Sequence, residues 1–189
     1  MVTLSKIYTK TGDCGDTGLG NGSRISKASP RITAIGAVDE ANAAIGIARL
    51  DAEDEMDAML ARIQNDLFDL GADLSAPEDG RKAEERLRVS GAQVERLERE
   101  IDAMNEKFKP LTSFVLPGGT ALAAHLHLAR AITRRAEAAI AALSAKEKIN
   151  PDVLRYANRL SDHLFVMARA ANNQGMGDVL WLPGANRES

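Results

Sequence analysis

The sequence predicts an all-α fold, an up-and-down bundle of five helices preceded by an irregular glycine-rich N-terminal segment. Three observations carry this expectation. Apolar residues recur at intervals of three and four through five stretches of the chain, the spacing of one helix face. Aromatic residues are only 4% of the chain while Ala and Leu abound, which favours helices over packed sheets. The connections are mostly short, so successive helices run antiparallel.

Each element has its own justification. Ser29-Pro30 reads as an N-cap followed by proline at the first helical position, opening a helix over about 31–50 with Ile32, Ile35, Val38, Asn42 and Ile45 on one face. Met56, Met59, Leu60, Ile63, Leu67 and Leu70 mark a second helix, from about Asp54 to Gly71. The charged stretch 76–88 reads as an exposed connection, partly helical. Ser90 and Gln93 form a capping box for a third helix carrying Val94, Leu97, Ile101 and Met104. "KPLTSFVLPGG" breaks the pattern with prolines and a glycine pair. A fourth helix runs from about Thr120 to Leu143, and Asn150-Pro151 caps a fifth that reaches about Asn173. The tail is predicted to be irregular and pinned to the body by Trp181. No strand ladder is expected. The chain reads as a single domain over 1–189, with segment 1–28, bundle 29–175 and tail 176–189.

Composition excludes several classes. A net charge of −3 gives no field that would recruit nucleic acid or an anionic membrane. No apolar run approaches the roughly 20 residues of a membrane span. A single cysteine, Cys14, cannot make an internal disulfide, and the first residues lack an apolar signal core. A cytoplasmic location is the expectation.

The stretch "YTKTGDCGDTGLGNGSRISK" holds five glycines between Gly12 and Gly22, flanked by Lys10, Arg24 and Lys27. Successive glycines let backbone N–H groups converge on a phosphate oxygen, and lysines supply counter-charge. A flexible terminus is the competing reading, and composition leaves both open. The segment is neither a Walker A loop nor a dinucleotide fingerprint. On the fourth helix Arg130, Arg134 and Glu137 are spaced by four and three, so they share a face, with His127 close to it. Two guanidiniums one turn apart repel unless an anion or carboxylate lies between them. Asn158 and Asp162 lie one turn apart on the fifth helix, near Arg155, and Asp39 and Asn42 flank the apolar stripe of the first. His125, His127 and His163 have no metal-ligand spacing, and no nucleophile elbow or base for Cys14 accompanies them.

At these residues the chain resembles the PduO-type ATP:cob(I)alamin adenosyltransferases, the corrinoid adenosyltransferases. The matching pieces are "YTKTGDCGDTGLGNGSRISK", "AIGAVDEANAAIG", "FVLPGG", "HLARAITRRAE" and "YANRLSDHLFVMARAAN", in family order over nearly the whole chain. The resemblance implies a ferritin-like five-helix bundle assembling as a homotrimer, with the active site between subunits and the N-terminal segment closing over ATP. It implies that Thr9, Lys10, Thr11, Gly12, Thr17, Gly18 and Lys27 line the triphosphate and nucleotide. Arg134 would neutralise phosphate charge with Arg135 and Glu137 nearby, and Asn158 would hold the nucleotide from the fifth helix. Asp39 and Arg130 resemble a salt-bridged pair at the subunit boundary, and Phe114 the aromatic residue that presses on the lower face of the corrin. The implied substrates are ATP, carried with Mg²⁺, and cobalamin. The implied partners are a reductase for cob(II)alamin and an adenosylcobalamin-dependent acceptor enzyme. Two rival readings are a phosphoryl-transfer enzyme using the same loop and a helical cobalamin carrier without catalysis.

Overall fold

The computed structural model describes residues 7–78 and 86–187. Within them lie five α-helices: α1 Pro30–Ala48, α2 Asp54–Leu74, α3 Gly91–Asn105, α4 Ala121–Ser144 and α5 Pro151–Ala171. The predicted caps hold them. Ser29 Oγ accepts from Ile32 N–H ahead of Pro30, Thr120 Oγ1 accepts from Ala123 N–H at 3.1 Å, and Asn150 Oδ1 accepts from Asp152 N–H at 3.1 Å. The capping box at α3 forms as expected, with Ser90 N–H donating to Gln93 Oε1 at 2.9 Å.

Helix α1 lies along α4 and α2, and α5 lies along α4 and α3, so α1, α4 and α5 make the middle of the bundle. Their shared core is apolar and fully enclosed: Ile45, Leu60, Ile63, Leu70, Leu97, Leu126, Ile140 and Leu160 have no exposed surface. Burying each such side chain contributes about 1.5–3 kcal/mol.

Several boundaries differ from expectation. Helix α2 runs past Gly71 to Leu74, because packing against α1 outweighs the weak helix propensity of one glycine. Helix α1 ends at Ala48 and passes into a 3-10 turn over Arg49–Asp51, and α5 stops at Ala171. The expected absence of strands is corrected: β1 (Asp16–Gly18) pairs antiparallel with β2 (Arg24–Ser26) inside the glycine-rich segment. Three-residue strands are too short to show alternation. Within the charged stretch, residues 79–85 lie outside the described residues, as do 1–6 and 188–189. Arg88, the last residue of the charged stretch, is not free in solvent but pairs with the buried Asp73.

The seam between α2, α3 and α5 holds a polar lattice that periodicity does not announce. Asp66 accepts from Gln93 Nε2 at 3.0 Å, from Arg96 and from Tyr156 Oη at 2.6 Å. Glu100 accepts from Arg62 at 3.0 Å and from His163 Nε2 at 2.7 Å. Burial raises the Glu100 carboxyl, but hydrogen bonds from His163 and Arg62 outweigh it and leave its pKa below the ordinary glutamate value. A folded pKa below the unfolded one adds stability above the unfolded value and loses it as pH falls through the folded one. Glu100→Gln is therefore expected to melt earlier than the parent at neutral pH. Its melting temperature should decline less steeply in acid below the glutamate range, in thermal scans at stepped pH.

Candidate active site

The hairpin β1–β2 organises the glycine-rich segment into a strap. Leu19 N–H donates to Ser23 O at 2.8 Å, and Gly22, at φ +84°, turns the chain between the strands. The preceding residues fold back onto the hairpin through its cations. Arg24 Nη2 donates to Thr11 O at 2.6 Å and Lys27 Nζ donates to Gly12 O at 2.9 Å. Lys10 sits in the left-handed region at φ +58°, and the Thr9 and Thr11 hydroxyls lie 2.9 Å apart. A methyl group on Gly12 would stand 2.9 Å from Lys27 Nζ, the end of a flexible side chain that would have to shift to make room. Thr17 and Gly18 lie on β1, Thr17 half-buried and Gly18 exposed. Gly20 N–H ties the strap to the end of α2 by donating to Ser75 O at 2.9 Å. The strap thus brings Thr9, Lys10, Thr11, Gly12, Thr17, Gly18 and Lys27 together.

Helix α4 carries the second group. Arg134 and Arg135 are exposed, and Arg135 pairs with Glu40 on α1. Glu137 accepts from Asn158 Nδ2 of α5 at 2.9 Å, joining the two helices at the surface. Among the described residues no ion pair compensates Arg130 or Arg134. Burial, and then the charge of Arg134, lower the pKa of Arg130, whose Nε is enclosed without a partner among the described residues. His127 is buried rather than turned toward this face, and lies edge-on to Phe165 with ring centroids 6.2 Å apart. Burial first, then Arg130, push its pKa down, against a smaller upward pull from Asp178.

The third group surrounds Phe114. A cavity of about 490 Å³ is lined by Leu111, Ser113, Phe114, Val115, Arg130 and Phe165. The Phe114 ring is 76% exposed, an unusual position for an aromatic of its size. It is held there from the tail, which is irregular apart from one isolated bridge and is pinned through Trp181. Trp181 N–H donates to Phe114 O at 2.7 Å, Leu116 N–H donates to Val179 O at 2.8 Å, and Val115 and Leu180 form an antiparallel bridge. Ser113 Oγ donates to Trp181 O at 2.7 Å, and the Trp181 and Phe114 rings lie 6.0 Å apart. Trp181 joins the tail to the Phe114 loop.

Arg130 links two of these groups, since it lines the Phe114 cavity and stands one helical turn from Arg134. Asp39 is not brought to Arg130 within the chain. It is exposed on α1 and lines a separate cleft of about 420 Å³ between α1 and α2, beside Asn42 and Phe68. Arg24, one of the cations that flank the glycines in the sequence, closes the strap. Sequence reasoning missed Asn172, Asp178 and Arg169, which anchor the tail and carry no periodic signal, because they meet through the ends of elements.

Comparisons with known proteins identify the family of the chain. The family described as cobalamin adenosyltransferase matches residues 7–171. A corrinoid adenosyltransferase of Mycobacterium tuberculosis (strain H37Rv) is 47% identical over 190 residues, covering 98% of this chain and 97% of that protein. The corrinoid adenosyltransferase PduO of Salmonella typhimurium is 39% identical over 168 residues, covering 88% of this chain and 50% of that protein. Among solved structures, a variant PduO-type ATP:corrinoid adenosyltransferase from Lactobacillus reuteri complexed with cobalamin and ATP superposes with a TM-score of 0.87 at 39% identity, covering 94% of this chain and 97% of that one. A second variant of that protein, complexed with ATP, gives a TM-score of 0.85 at 39% identity, covering 93% of this chain and 100% of that one. The chain belongs to the cobalamin adenosyltransferase family, in its PduO-type branch.

Proposed function

We infer that the protein transfers the 5′-deoxyadenosyl group of ATP to cob(I)alamin, giving adenosylcobalamin and triphosphate, at sites between subunits. The observation that carries the reading is the junction at Arg130, where an apolar cavity fronted by Phe114 meets an uncompensated cationic helix face. A large apolar ring system and a polyanion are the two substrates such a junction suits.

Cob(I) attacks C5′ of ATP with its own electron pair, the C5′–O bond breaks, and the triphosphate departs with the bonding electrons. The nucleophile is strong, so the protein supplies alignment and charge compensation rather than a base. Arg134 takes the departing phosphate charge from α4, while Lys10 and Lys27 meet it from the strap, whose Thr9, Thr11, Gly12, Thr17 and Gly18 bring backbone and hydroxyl donors close. Arg135, Glu137 and Asn158 border the nucleotide. Mg²⁺ would be carried largely by the phosphate oxygens of ATP and by water, as is usual for this ion beside a polyphosphate. Phe114 forms an apolar wall against the lower corrin face, which excludes the axial ligand and makes cob(II) easier to reduce.

The pairing of Asp39 with Arg130 is carried by the family resemblance, and because the two line different clefts of one chain it would join adjacent copies in a homotrimer. The ferritin-like bundle over 29–175 is the scaffold, segment 1–28 the nucleotide strap and 176–189 the tail. The protein works in the cytoplasm, with a reductase upstream and an adenosylcobalamin-dependent acceptor downstream.

Anaerobic mixing of cob(I)alamin, ATP, Mg²⁺ and protein should convert the visible spectrum to that of the alkylcobalamin, with one triphosphate released per corrinoid. Release of ADP or pyrophosphate instead would rule the reaction out. Arg134→Ala should lower kcat/KM for ATP by about 10²-fold, the usual cost of removing a preorganised charge-stabilising donor. Phe114→Ala should slow turnover far more from cob(II)alamin plus reductant than from preformed cob(I)alamin; equal losses would remove the wall. Gly12→Ala should lower kcat/KM for ATP about tenfold by displacing the Lys27 ammonium, with kcat falling too and the melting temperature nearly unchanged.

A further inference from the structure

The loop that presents Phe114 is fastened at a residue far from the corrin wall. Asn172 caps the end of α5 and is 2% exposed. Its amide is fully used. Nδ2 donates to Gly118 O at 3.1 Å and to Asp178 Oδ1 at 3.1 Å, while Oδ1 accepts from Thr120 N–H at 3.0 Å. The Asn172 backbone O accepts from Gly177 N–H at 2.8 Å. One side chain therefore grips the turn after the Phe114 loop, the start of α4 and the first residues of the tail.

The tail grip is reinforced by charge. Asp178 gives its other oxygen to Arg169 Nε at 2.8 Å, and the two side chains are 2% and 7% exposed. The Arg169 guanidinium in turn lies 4.8 Å from the Phe108 ring centroid. From Asp178 the chain runs directly into Val179, Leu180 and Trp181, whose backbones bond Leu116 and Phe114. The loop is thus clamped downstream at Gly118–Thr120 and alongside by the tail, and both attachments converge on Asn172. Gly119, at φ +106°, completes the contact, because a Cβ there would overlap the Asn172 amide.

We propose that Asn172 is the positioning residue for Phe114: by holding the Gly118–Thr120 turn and Asp178 together, it fixes the two backbone segments that aim the aromatic ring at the lower corrin face. The inference rests on the reading of Phe114 as that wall. Asn172 touches no substrate. Its effect is confined to the step that needs the axial ligand excluded.

The test compares Asn172→Ala, Gly119→Ala and Phe114→Ala in the full-length protein. Gly119 is exposed and lies outside the core, so its variant pushes the Asn172 amide off the loop without hollowing the bundle. The fluorescence of Trp181, the chain's only tryptophan, reads the bridge between tail and loop. Turnover from cob(II)alamin plus reductant, divided by turnover from preformed cob(I)alamin, reads the corrin wall. In Asn172→Ala and Gly119→Ala the emission should shift to the red, and the ratio should fall about tenfold, as for a group displaced but not removed. A proportional loss in both assays, as a merely structural role would give, overturns the proposal. So does an unshifted emission in Gly119→Ala, or a normal ratio in both clamp variants beside a low ratio in Phe114→Ala. A normal ratio in Phe114→Ala itself marks failure of the wall and removes the positioning role with it.

Discussion

Helix α4 must lie against two other helices along its length, and that demand shapes everything around it. Close helix approach needs small side chains at the contact. On α4 these are Ala123, Ala129 and Ala136, and on the facing α1 Ala34, Ala41, Ala44 and Ala48, all buried. The buried side of α4 mixes these alanines with Leu126, His127, Thr133, Ile140 and Leu143, and leaves Arg134 and Arg135 exposed and Arg130 half-buried. The tight packing that stabilises the bundle also holds three guanidiniums on a rigid rod, one end of which faces the Phe114 cavity.

Charge elsewhere in the chain is met with care. Arg31 donates to Glu147 at 2.6 Å and to the end of α2 at Leu74 O, Arg96 meets Asp66, Arg88 meets Asp73 and Arg169 meets Asp178. A half-buried guanidinium without a carboxylate costs stability, since desolvation is not repaid by attraction. Arg130 accepts that cost, with Arg134 beside it raising the local repulsion. The Arg135–Glu40 pair is exposed on both sides and adds little. Among the described residues the enclosed Arg31, Arg96, Arg88 and Arg169 meet carboxylates while the half-buried Arg130 meets none, and on the proposed reading the triphosphate supplies the missing charge.

Helices and caps were legible because they rest on local rules: Ser29-Pro30, Ser90 with Gln93, and Asn150-Pro151 each state a helix start within four residues. The glycine run was legible as chemistry but not as shape. Its hairpin rests on three pairs whose alternation is lost among glycines, and on Arg24 and Lys27 reaching 13 and 15 residues back to backbone carbonyls. The bond from Thr120 N–H to Asn172 spans 52 residues, and nothing in either local sequence signals it. Gly71 misled because a helix terminator and a helix interior glycine look alike until the neighbouring helix is known. Asp39 and Arg130 were chosen as a pair, and one chain alone holds them in separate clefts.

The strap's present bonding indicates how it can be ordered yet yield to a ligand. Lys27 Nζ and Arg24 Nη2 each donate to a neutral backbone carbonyl in an exposed setting, where a hydrogen bond is worth little net of water. A phosphate oxygen offers the same ammonium a charged acceptor, and such bonds are shorter and roughly twice as strong. Exchange of carbonyl for phosphate moves a flexible side-chain end by a small distance and leaves the β1–β2 ladder intact. The absence of a side chain at Gly12 leaves room beside the Lys27 ammonium. On the proposed reading the strap is preformed in its backbone through the β1–β2 ladder and provisional in its cations, whose carbonyl partners a phosphate would replace.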